Sequence, residues 1–194
     1  MKKIWIILSL FLLFGCADHS ISRDLSDKCD ASRPGSCISG KQADMSGYKD
    51  FKEKNNQFIT MNLEESLTVF KEKKSAILYY GFPECPWCDE ALPIMNQVAK
   101  DNKLKIYYID IDAEKSDDKT YKNLVKELST YMSDYMEKDE NGVYRLYVPM
   151  VSVVKNGVTT SSNIGTVDSH DAHERKMNDK EKEELKKIYS DMFQ

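Results

Sequence analysis

The sequence has no excess of basic residues, only three histidines and no internal repeat. Its 194 residues contain 28 lysines and arginines against 32 aspartates and glutamates, giving a formal net charge of -4 at pH 7. Binding to nucleic acid phosphates requires a basic surface, so nucleic acid is not expected as a partner. Hydrophobic residues make up 41% and charged residues 31%, which excludes a disordered chain and a multi-span membrane protein. The length leaves room for one globular domain.

The first 16 residues have the pattern of an export signal. Two lysines precede a mostly apolar run from Ile4 to Phe14, which is too short to span a membrane as a mature helix. The run ends in Leu13-Phe14-Gly15-Cys16, which resembles the lipobox of bacterial lipoproteins. This resemblance implies that residues 1–15 are removed and that Cys16 carries a lipid anchor at the extracytoplasmic face of the cell membrane. The alternative is an ordinary secretory signal with an incidental cysteine.

Residues 16–56 are rich in Ser, Asp, Lys and Gly and have no sustained apolar period. This composition predicts a flexible polar tether between the membrane and a folded domain. Cys29 and Cys37 flank the Pro34-Gly35 turn, and disulfides persist in an exported protein. We therefore expect a local Cys29–Cys37 disulfide, with free thiols or exchange with Cys85 as the alternatives.

Residues 57–194 alternate between strand and helix patterns. Strands are predicted at 58–61, 76–80, 105–112, 144–154 (interrupted by Pro149) and 158–165, and helices at 62–74, 86–101, 119–137 and 179–193. Asn62 and Glu65 have the spacing of a capping box at the first helix. The order predicts an α/β domain with a partly parallel sheet.

Cys85-Pro86-Trp87-Cys88 lies where the second predicted strand ends and a helix begins. A helix N-terminus stabilises an anion, so the Cys85 thiol should have a lowered pKa and act as the nucleophile. Cys88 is one helical turn further on and can attack a mixed disulfide formed at Cys85. Pro86 suits the first helical turn, and we expect Pro86 and Trp87 to contact the substrate, Trp87 through an apolar contact to an incoming chain.

Three features resemble the thioredoxin superfamily: the Cys85–Cys88 motif after a buried strand, Pro93 five residues later, and Val148-Pro149 before a strand. The resemblance extends over roughly residues 57–194 and implies a thioredoxin-like three-layer sandwich, with a mixed central sheet flanked by helices. It implies that Pro149 is cis and that Val148 and Pro149 bind the substrate backbone. The chain is similar to exported thioredoxin-like proteins of Gram-positive bacteria, including bacteriocin transport accessory proteins.

The resemblance implies a membrane-anchored thiol-disulfide oxidoreductase that exchanges disulfides with exported proteins. Its redox group is the Cys85–Cys88 disulfide; no organic cofactor or metal is required, and a membrane redox partner would recharge it. Tyr79 occupies the position where reducing thioredoxins carry a buried acid, so Glu84, Asp89 or an ordered water would have to accept the Cys88 proton. The Pro-Trp pair between the cysteines leaves the redox direction open.

A second cluster, Asp168 to Glu174, contains two histidines at short spacing. One interpretation is a metal-binding or metallochaperone lipoprotein using Cys85, Cys88, His170 and His173. We favour a polar loop whose histidines make helix-capping contacts and contacts at the rim of the substrate site, with no metal. A third possibility is a non-catalytic accessory protein of an export system.

Overall fold

The computed structural model describes residue 30, residues 32–115 and residues 117–194. Within these ranges the elements are β1 (Phe58–Thr60), α1 (Leu63–Lys71), β2 (Ala76–Gly81), α2 (Pro86–Asp101), β3 (Ile106–Asp110), α3 (Ile111–Glu114), α4 (Asp118–Met132), β4 (Glu137–Lys138), β5 (Tyr144–Arg145), β6 (Met150–Lys155), β7 (Val158–Ile164) and α5 (Asp179–Met192). The predicted alternation of strands and helices is confirmed.

The central sheet has five strands in the order β1-β3-β2-β6-β7. β3 pairs in parallel with both β1 and β2, whereas β6 is antiparallel to β2 and β7 is antiparallel to β6. The first three strands are joined by helical crossovers, and β6 and β7 by a tight hairpin at Asn156-Gly157. The sheet is therefore mixed, as the sequence predicts.

Helices cover both faces of this sheet. α2 and α5 pack together on one face, and α1 and α4 on the other. Every residue of the central strand β2 is buried; Ile77 and Tyr79 face α2 and α5, and Leu78 and Tyr80 face α1 and α4. This arrangement explains the nearly unbroken apolar sequence of β2, because a strand covered on both faces has no side for polar residues. The predicted α/β sandwich is confirmed.

Side-chain caps fix where two of the helices begin. Asn62 accepts a hydrogen bond from the Glu65 backbone N–H at 2.7 Å, and the Glu65 carboxylate accepts one from the Asn62 N–H at 2.9 Å. This is the capping box expected from the sequence. Asn178 and Glu181 form the same reciprocal pair at the start of α5.

The folded part of the chain begins earlier than the sequence predicts. Residues 41–43 pair antiparallel with β1, since Thr60 N–H donates to the Lys41 carbonyl and Ala43 N–H donates to the Phe58 carbonyl. Tyr48 and Phe51 are buried in the core between the sheet and α2. The predicted tether over residues 16–56 is therefore wrong from about residue 33 onward: the Gly35 carbonyl accepts the Lys105 N–H at 2.8 Å, and the segment after residue 41 supplies core side chains without any helical or strand period.

Two further boundaries differ from the prediction. The expected long strand before Pro149 is limited to β5, which forms a two-residue hairpin with β4 outside the central sheet. Helix α4 ends at Met132 and is followed by a 3-10 turn over Ser133–Tyr135. Arg145 on β5 binds the Asp139 carboxylate at 2.6 Å, which closes the small hairpin on itself.

Several sequence predictions lie outside the described residues. They are the signal peptide of residues 1–15, lipidation of Cys16, and Cys29 as a disulfide partner. Cys37 is disulfide-bonded, and the Cys29–Cys37 pairing stays a prediction. In the part of the chain that the structure describes, no helix is both long and apolar enough to cross a membrane.

Candidate active site

The first cysteine of the motif occupies the N-cap of α2. The Cys85 sulfur accepts a hydrogen bond from the Cys88 backbone N–H at 3.2 Å, and Pro86 fills the first helical position. Such a sulfur satisfies an N–H group that has no acceptor within the helix and lies at the positive end of the helix dipole. Pro93 lies inside α2, which continues on either side of it.

The surroundings of Cys85 favour its thiolate. Hydrogen bonding from the Cys88 side chain lowers the pKa of Cys85 most, and the backbone N–H groups of Cys88 and Trp87 lower it further. Burial and the nearby Asp89 carboxylate act in the opposite direction, but the net effect is a lowered pKa. A lowered thiol pKa is the property that a nucleophilic cysteine needs at neutral pH.

Cys88 has the opposite character. Its side chain is fully buried, and burial together with the hydrogen bond to Cys85 raises its pKa well above the usual value. A hydrogen bond from the Tyr79 hydroxyl partly offsets this increase. The motif therefore contains one cysteine, Cys85, whose thiolate is favoured and one, Cys88, whose protonated thiol is favoured.

The second proline of the predicted site lies next to the cysteines. The Val148-Pro149 peptide bond is cis, as the resemblance implies. The Cys85 thiol points at the Val148 carbonyl oxygen, 3.8 Å away. Val148 and Pro149 directly precede β6, the neighbour of β2 in the sheet, so the fold brings these two segments together at the same end of the sheet.

An open groove runs past the Cys85 sulfur. It is lined by Phe82, Trp87, Lys115, Arg145, Tyr147 and Val148. The Trp87 ring is half-buried and meets the His173 ring edge-on, with ring centroids 4.5 Å apart. Tyr147 is 42% exposed, which leaves a large apolar surface free beside the sulfur. Three of the predicted substrate residues, Trp87, Val148 and Pro86, thus line one groove with Cys85.

The loop between β7 and α5 is anchored by a buried histidine. His170 Nδ1 lies 2.9 Å from the Thr166 hydroxyl, and its Nε2 lies 2.9 Å from the Arg175 carbonyl oxygen and 3.4 Å from the Glu90 carboxylate. These contacts hold the loop against α2, so that His173 reaches Trp87. The loop therefore contributes His173 to the lining of the groove, whereas His170 is buried beneath the loop and does not lie at its rim.

The structure does not bring Cys85, Cys88, His170 and His173 together as one group of metal ligands. Among residue 30, residues 32–115 and residues 117–194, no group of three or more His, Cys, Asp or Glu side chains is placed to hold a metal ion. The His170 nitrogens face a hydroxyl and a backbone carbonyl, and His173 packs on Trp87.

The two acids considered as proton acceptors for Cys88 are engaged elsewhere or exposed. Asp89 accepts a hydrogen bond from the Asp50 backbone N–H at 2.9 Å, and Glu84 lies at the exposed surface. Burial raises the pKa of Cys88 most, and the Phe82 backbone and the Tyr79 hydroxyl act in the opposite direction. Sequence reasoning placed Tyr79 beside the site only by resemblance and missed Tyr48 and Tyr108, whose hydroxyls lie next to it.

The strand order, the cysteine pair at the start of α2 and the cis bond before β6 define a thioredoxin-like fold. No family model matches the sequence. Thioredoxin O2 from Arabidopsis thaliana is a similar solved structure, with 15% identity and a TM-score of 0.42 over 74% of this chain and 100% of that one. A mutant thioredoxin from Halobacterium salinarum shows 13% identity and a TM-score of 0.40, covering 74% of this chain and 97% of the other. Thioredoxin from Plasmodium falciparum shows 16% identity and a TM-score of 0.37, covering 70% of this chain and 99% of the other.

Proposed function

We propose that the protein is a thiol-disulfide oxidoreductase that exchanges disulfides with exported proteins at the outer face of the cell membrane. The observation that carries the proposal is the position of the Cys85 sulfur. It accepts the Cys88 N–H at the start of α2, has a lowered pKa and borders an open groove beside Val148. A nucleophilic thiolate, a buried second thiol and an adjoining surface for a polypeptide are the parts that disulfide exchange needs.

In the reducing direction the Cys85 thiolate attacks one sulfur of a substrate disulfide. A bond forms between Cys85 and that sulfur, and the other substrate sulfur leaves as a thiolate. Cys88 then loses its proton and attacks the Cys85 sulfur, forming the Cys85–Cys88 disulfide and releasing the second substrate thiolate. The substrate gains two electrons and the protein loses two, which a dithiol partner in the membrane would restore. Oxidation of a substrate dithiol is the same sequence in reverse.

Trapping of the intermediate tests this mechanism. We expect Cys88→Ala to accumulate a mixed disulfide with a protein substrate, because the second attack is removed while the first is retained. Cys85→Ser should form no such adduct, and the Cys85→Ser/Cys88→Ala double variant is the matched control. Equal activity of wild type and Cys85→Ser on a model disulfide would exclude disulfide exchange at this motif.

The direction of exchange follows from the reduction potential of the Cys85–Cys88 couple. A value near that of thioredoxin, about -270 mV, predicts a reductase, and a value near about -120 mV predicts an oxidant. Equilibration of the purified protein with a series of thiol redox buffers measures this potential.

The proposed membrane attachment depends on Cys16. Lipidation would give the wild-type protein a membrane-bound form that detergent releases. We expect Cys16→Ser to leave the membrane fraction, with Cys37→Ser as a cysteine control that stays in it. Identical fractionation of wild type and Cys16→Ser would argue for an ordinary secretory signal.

A further inference from the structure

A second cavity adjoins the groove beside Cys85. It lies between α4 and the β4–β5 hairpin and has a volume of about 540 Å³, which is within the range of cavities that bind ligands. Tyr121, Arg145 and Leu146 line both the groove and this cavity. The two are therefore continuous, and we call the second one the hairpin cavity.

The walls of the hairpin cavity offer an apolar surface. Val125 of α4 and Leu146 after β5 line it and are buried, and the rings of Tyr121 and Tyr144 line it as well. Val143, at the tip of the hairpin, also lines it and is 51% exposed. A side chain that enters the cavity removes this apolar surface from water, so the cavity favours an apolar side chain.

The hairpin wall of the cavity is held in shape by Asp139. Its carboxylate accepts hydrogen bonds from the backbone N–H groups of Asn141 at 2.9 Å and Val143 at 3.0 Å. It also accepts two from the Arg145 guanidinium, at 2.7 and 2.6 Å. The wall is therefore formed before a ligand arrives, and binding has little ordering cost to overcome.

The charges around the hairpin cavity are of one sign. Among the described residues that line it, Lys122, Lys126 and Arg145 are cations and none is acidic, although the chain has a formal net charge of -4. Arg145 is paired with Asp139, and Lys122 with Asp118 at 2.6 Å. Lys126 is exposed and has no ion pair within the described part of the chain. The cavity therefore favours a carboxylate beside the apolar side chain, within reach of Lys126.

A short extended segment connects the reactive sulfur with this cavity. Residues 146–148 join β5 to β6 and belong to neither sheet, and the Val148 carbonyl oxygen lies 3.8 Å from the Cys85 sulfur. Of the cavity residues, Leu146 lies two positions before Val148 and Val143 lies five positions before it. Five extended residues span at most about 18 Å. A polypeptide that lies extended against this segment, with its cysteine at Cys85, thus reaches the cavity with a residue two to five positions from that cysteine.

We propose that the hairpin cavity binds the substrate polypeptide by an apolar side chain two to five residues from the substrate cysteine, with an adjacent acidic residue that pairs with Lys126. The inference rests on the proposed disulfide exchange and names the substrate class for it. A small disulfide ends at the sulfur and gains nothing from the cavity. An extended chain has one direction along the segment, so the cavity selects residues on one side of the substrate cysteine only.

Peptides with one cysteine, activated as its pyridyl disulfide, test this selection on the reduced full-length protein. Attack of the Cys85 thiolate on the peptide sulfur releases thiopyridone, whose absorbance gives the second-order rate constant, and Cys85→Ser gives the background rate. A leucine is moved along both sides of the cysteine in a Gly and Ser background. We expect the rate constant to rise by about tenfold at positions two to five on one side, a discrimination typical of a hydrophobic pocket. An aspartate next to that leucine should raise it further, and a lysine should lower it.

Two variants with matched controls locate the selection in the cavity. Lys126→Glu should lower the rate constant for the aspartate peptide by about two- to fivefold and should prefer the lysine peptide instead. Lys186→Glu, the same change on the exposed side of α5, is its control. Val143→Ser should lower the leucine preference by about fourfold, the contribution of one buried methylene, and Val158→Ser, 63% exposed on β7, is its control. All four variants should react with uncharged dipyridyl disulfide at the wild-type rate.

Other outcomes overturn the proposal. Equal rate constants for every leucine position, or equal gains on both sides of the cysteine, would mean that the cavity does not bind the substrate. An equal loss in Lys186→Glu would mean that net charge is responsible. A second copy of the chain on the cavity would appear in sedimentation as a dimer that Val143→Ser dissociates, and this would also exclude the substrate as its occupant. Thiopyridone release no faster from wild type than from Cys85→Ser, with peptides and dipyridyl disulfide alike, would instead reject disulfide exchange itself.

Discussion

The Cys85 sulfur lies 3.8 Å from the carbonyl oxygen of Val148, a residue 63 positions further along the chain. One residue caps α2 and the other precedes β6, so the sheet order alone brings them together. The reactive sulfur is therefore set between a helix N-terminus, which stabilises its anion, and a backbone segment open to the groove.

Cys88→Ala should raise the pKa of Cys85. The hydrogen bond from the Cys88 side chain is the largest cause of the lowered Cys85 pKa, so its removal shifts the thiol toward its usual value near 9. The rate of iodoacetamide alkylation at Cys85, followed from pH 5 to 10 by mass spectrometry, measures this pKa. At neutral pH the variant should react more slowly than wild type in proportion to its smaller thiolate fraction. Superimposable pH profiles of wild type and Cys88→Ala would show that the backbone N–H groups alone are enough to lower the Cys85 pKa.

His173→Ala should expose Trp87 and weaken the binding of polypeptide substrates. The His173 ring covers one edge of Trp87, which belongs to the groove beside Cys85. Trp87 is the single tryptophan after residue 15, so acrylamide quenching of its fluorescence reports this contact directly. We expect stronger quenching and a several-fold higher KM for a protein disulfide, with an unchanged rate toward a small disulfide reagent. Glu174→Ala, next in the loop and exposed, is the control. Unaltered quenching would contradict the ring contact in solution.

The sequence was sufficient for those parts of the site that depend on local pattern. Cys85 at a helix start follows from a buried strand, a Pro-containing first turn and a helical period, all within about 25 residues. The cis bond before Pro149 was expected only through resemblance, because nothing local in Val148-Pro149 distinguishes it from a trans bond.

The cluster of Tyr48, Tyr79 and Tyr108 could not be predicted, and the reason is physical. Tyr48 belongs to a segment without secondary structure, and it meets Tyr79 and Tyr108 across 31 and 60 residues. Periodicity identifies the buried face of a helix or strand, but it says nothing about an irregular segment that packs by single side chains. A polar composition with a few scattered aromatics therefore suggested a tether, and those aromatics are the part that is buried.

Phe51→Ala should destabilise the whole domain, because the segment before β1 is part of the core. Phe51 is 4% exposed and contacts the Phe58 ring edge-on, with centroids 6.2 Å apart. Truncation of a buried phenylalanine costs about 3–5 kcal/mol of unfolding free energy. Urea denaturation followed by far-UV circular dichroism measures the difference, with the exposed Lys49→Ala as control. A loss of unfolding free energy below about 1 kcal/mol would contradict a core role for this segment and support a tether.

Glu181→Gln should change the acid sensitivity of the fold. Arg175 donates two hydrogen bonds to the Glu181 carboxylate, at 2.6 and 2.7 Å, and the Asn178 N–H donates a third at 2.9 Å. The Arg175 contact is the main cause that lowers the Glu181 pKa from 4.5 to about 2. A carboxyl whose pKa is lower in the folded state stabilises it fully above the unfolded pKa and loses that contribution as pH falls through the folded pKa. The difference in unfolding free energy between wild type and Glu181→Gln should therefore be constant above about pH 5 and should shrink between about pH 4.5 and 2.

Urea unfolding at a series of pH values measures this difference. Glu184→Gln, exposed on the same helix, is the control and should show no such decrease. A gap that stays constant down to pH 2 would mean that the carboxylate is not held by Arg175 in solution.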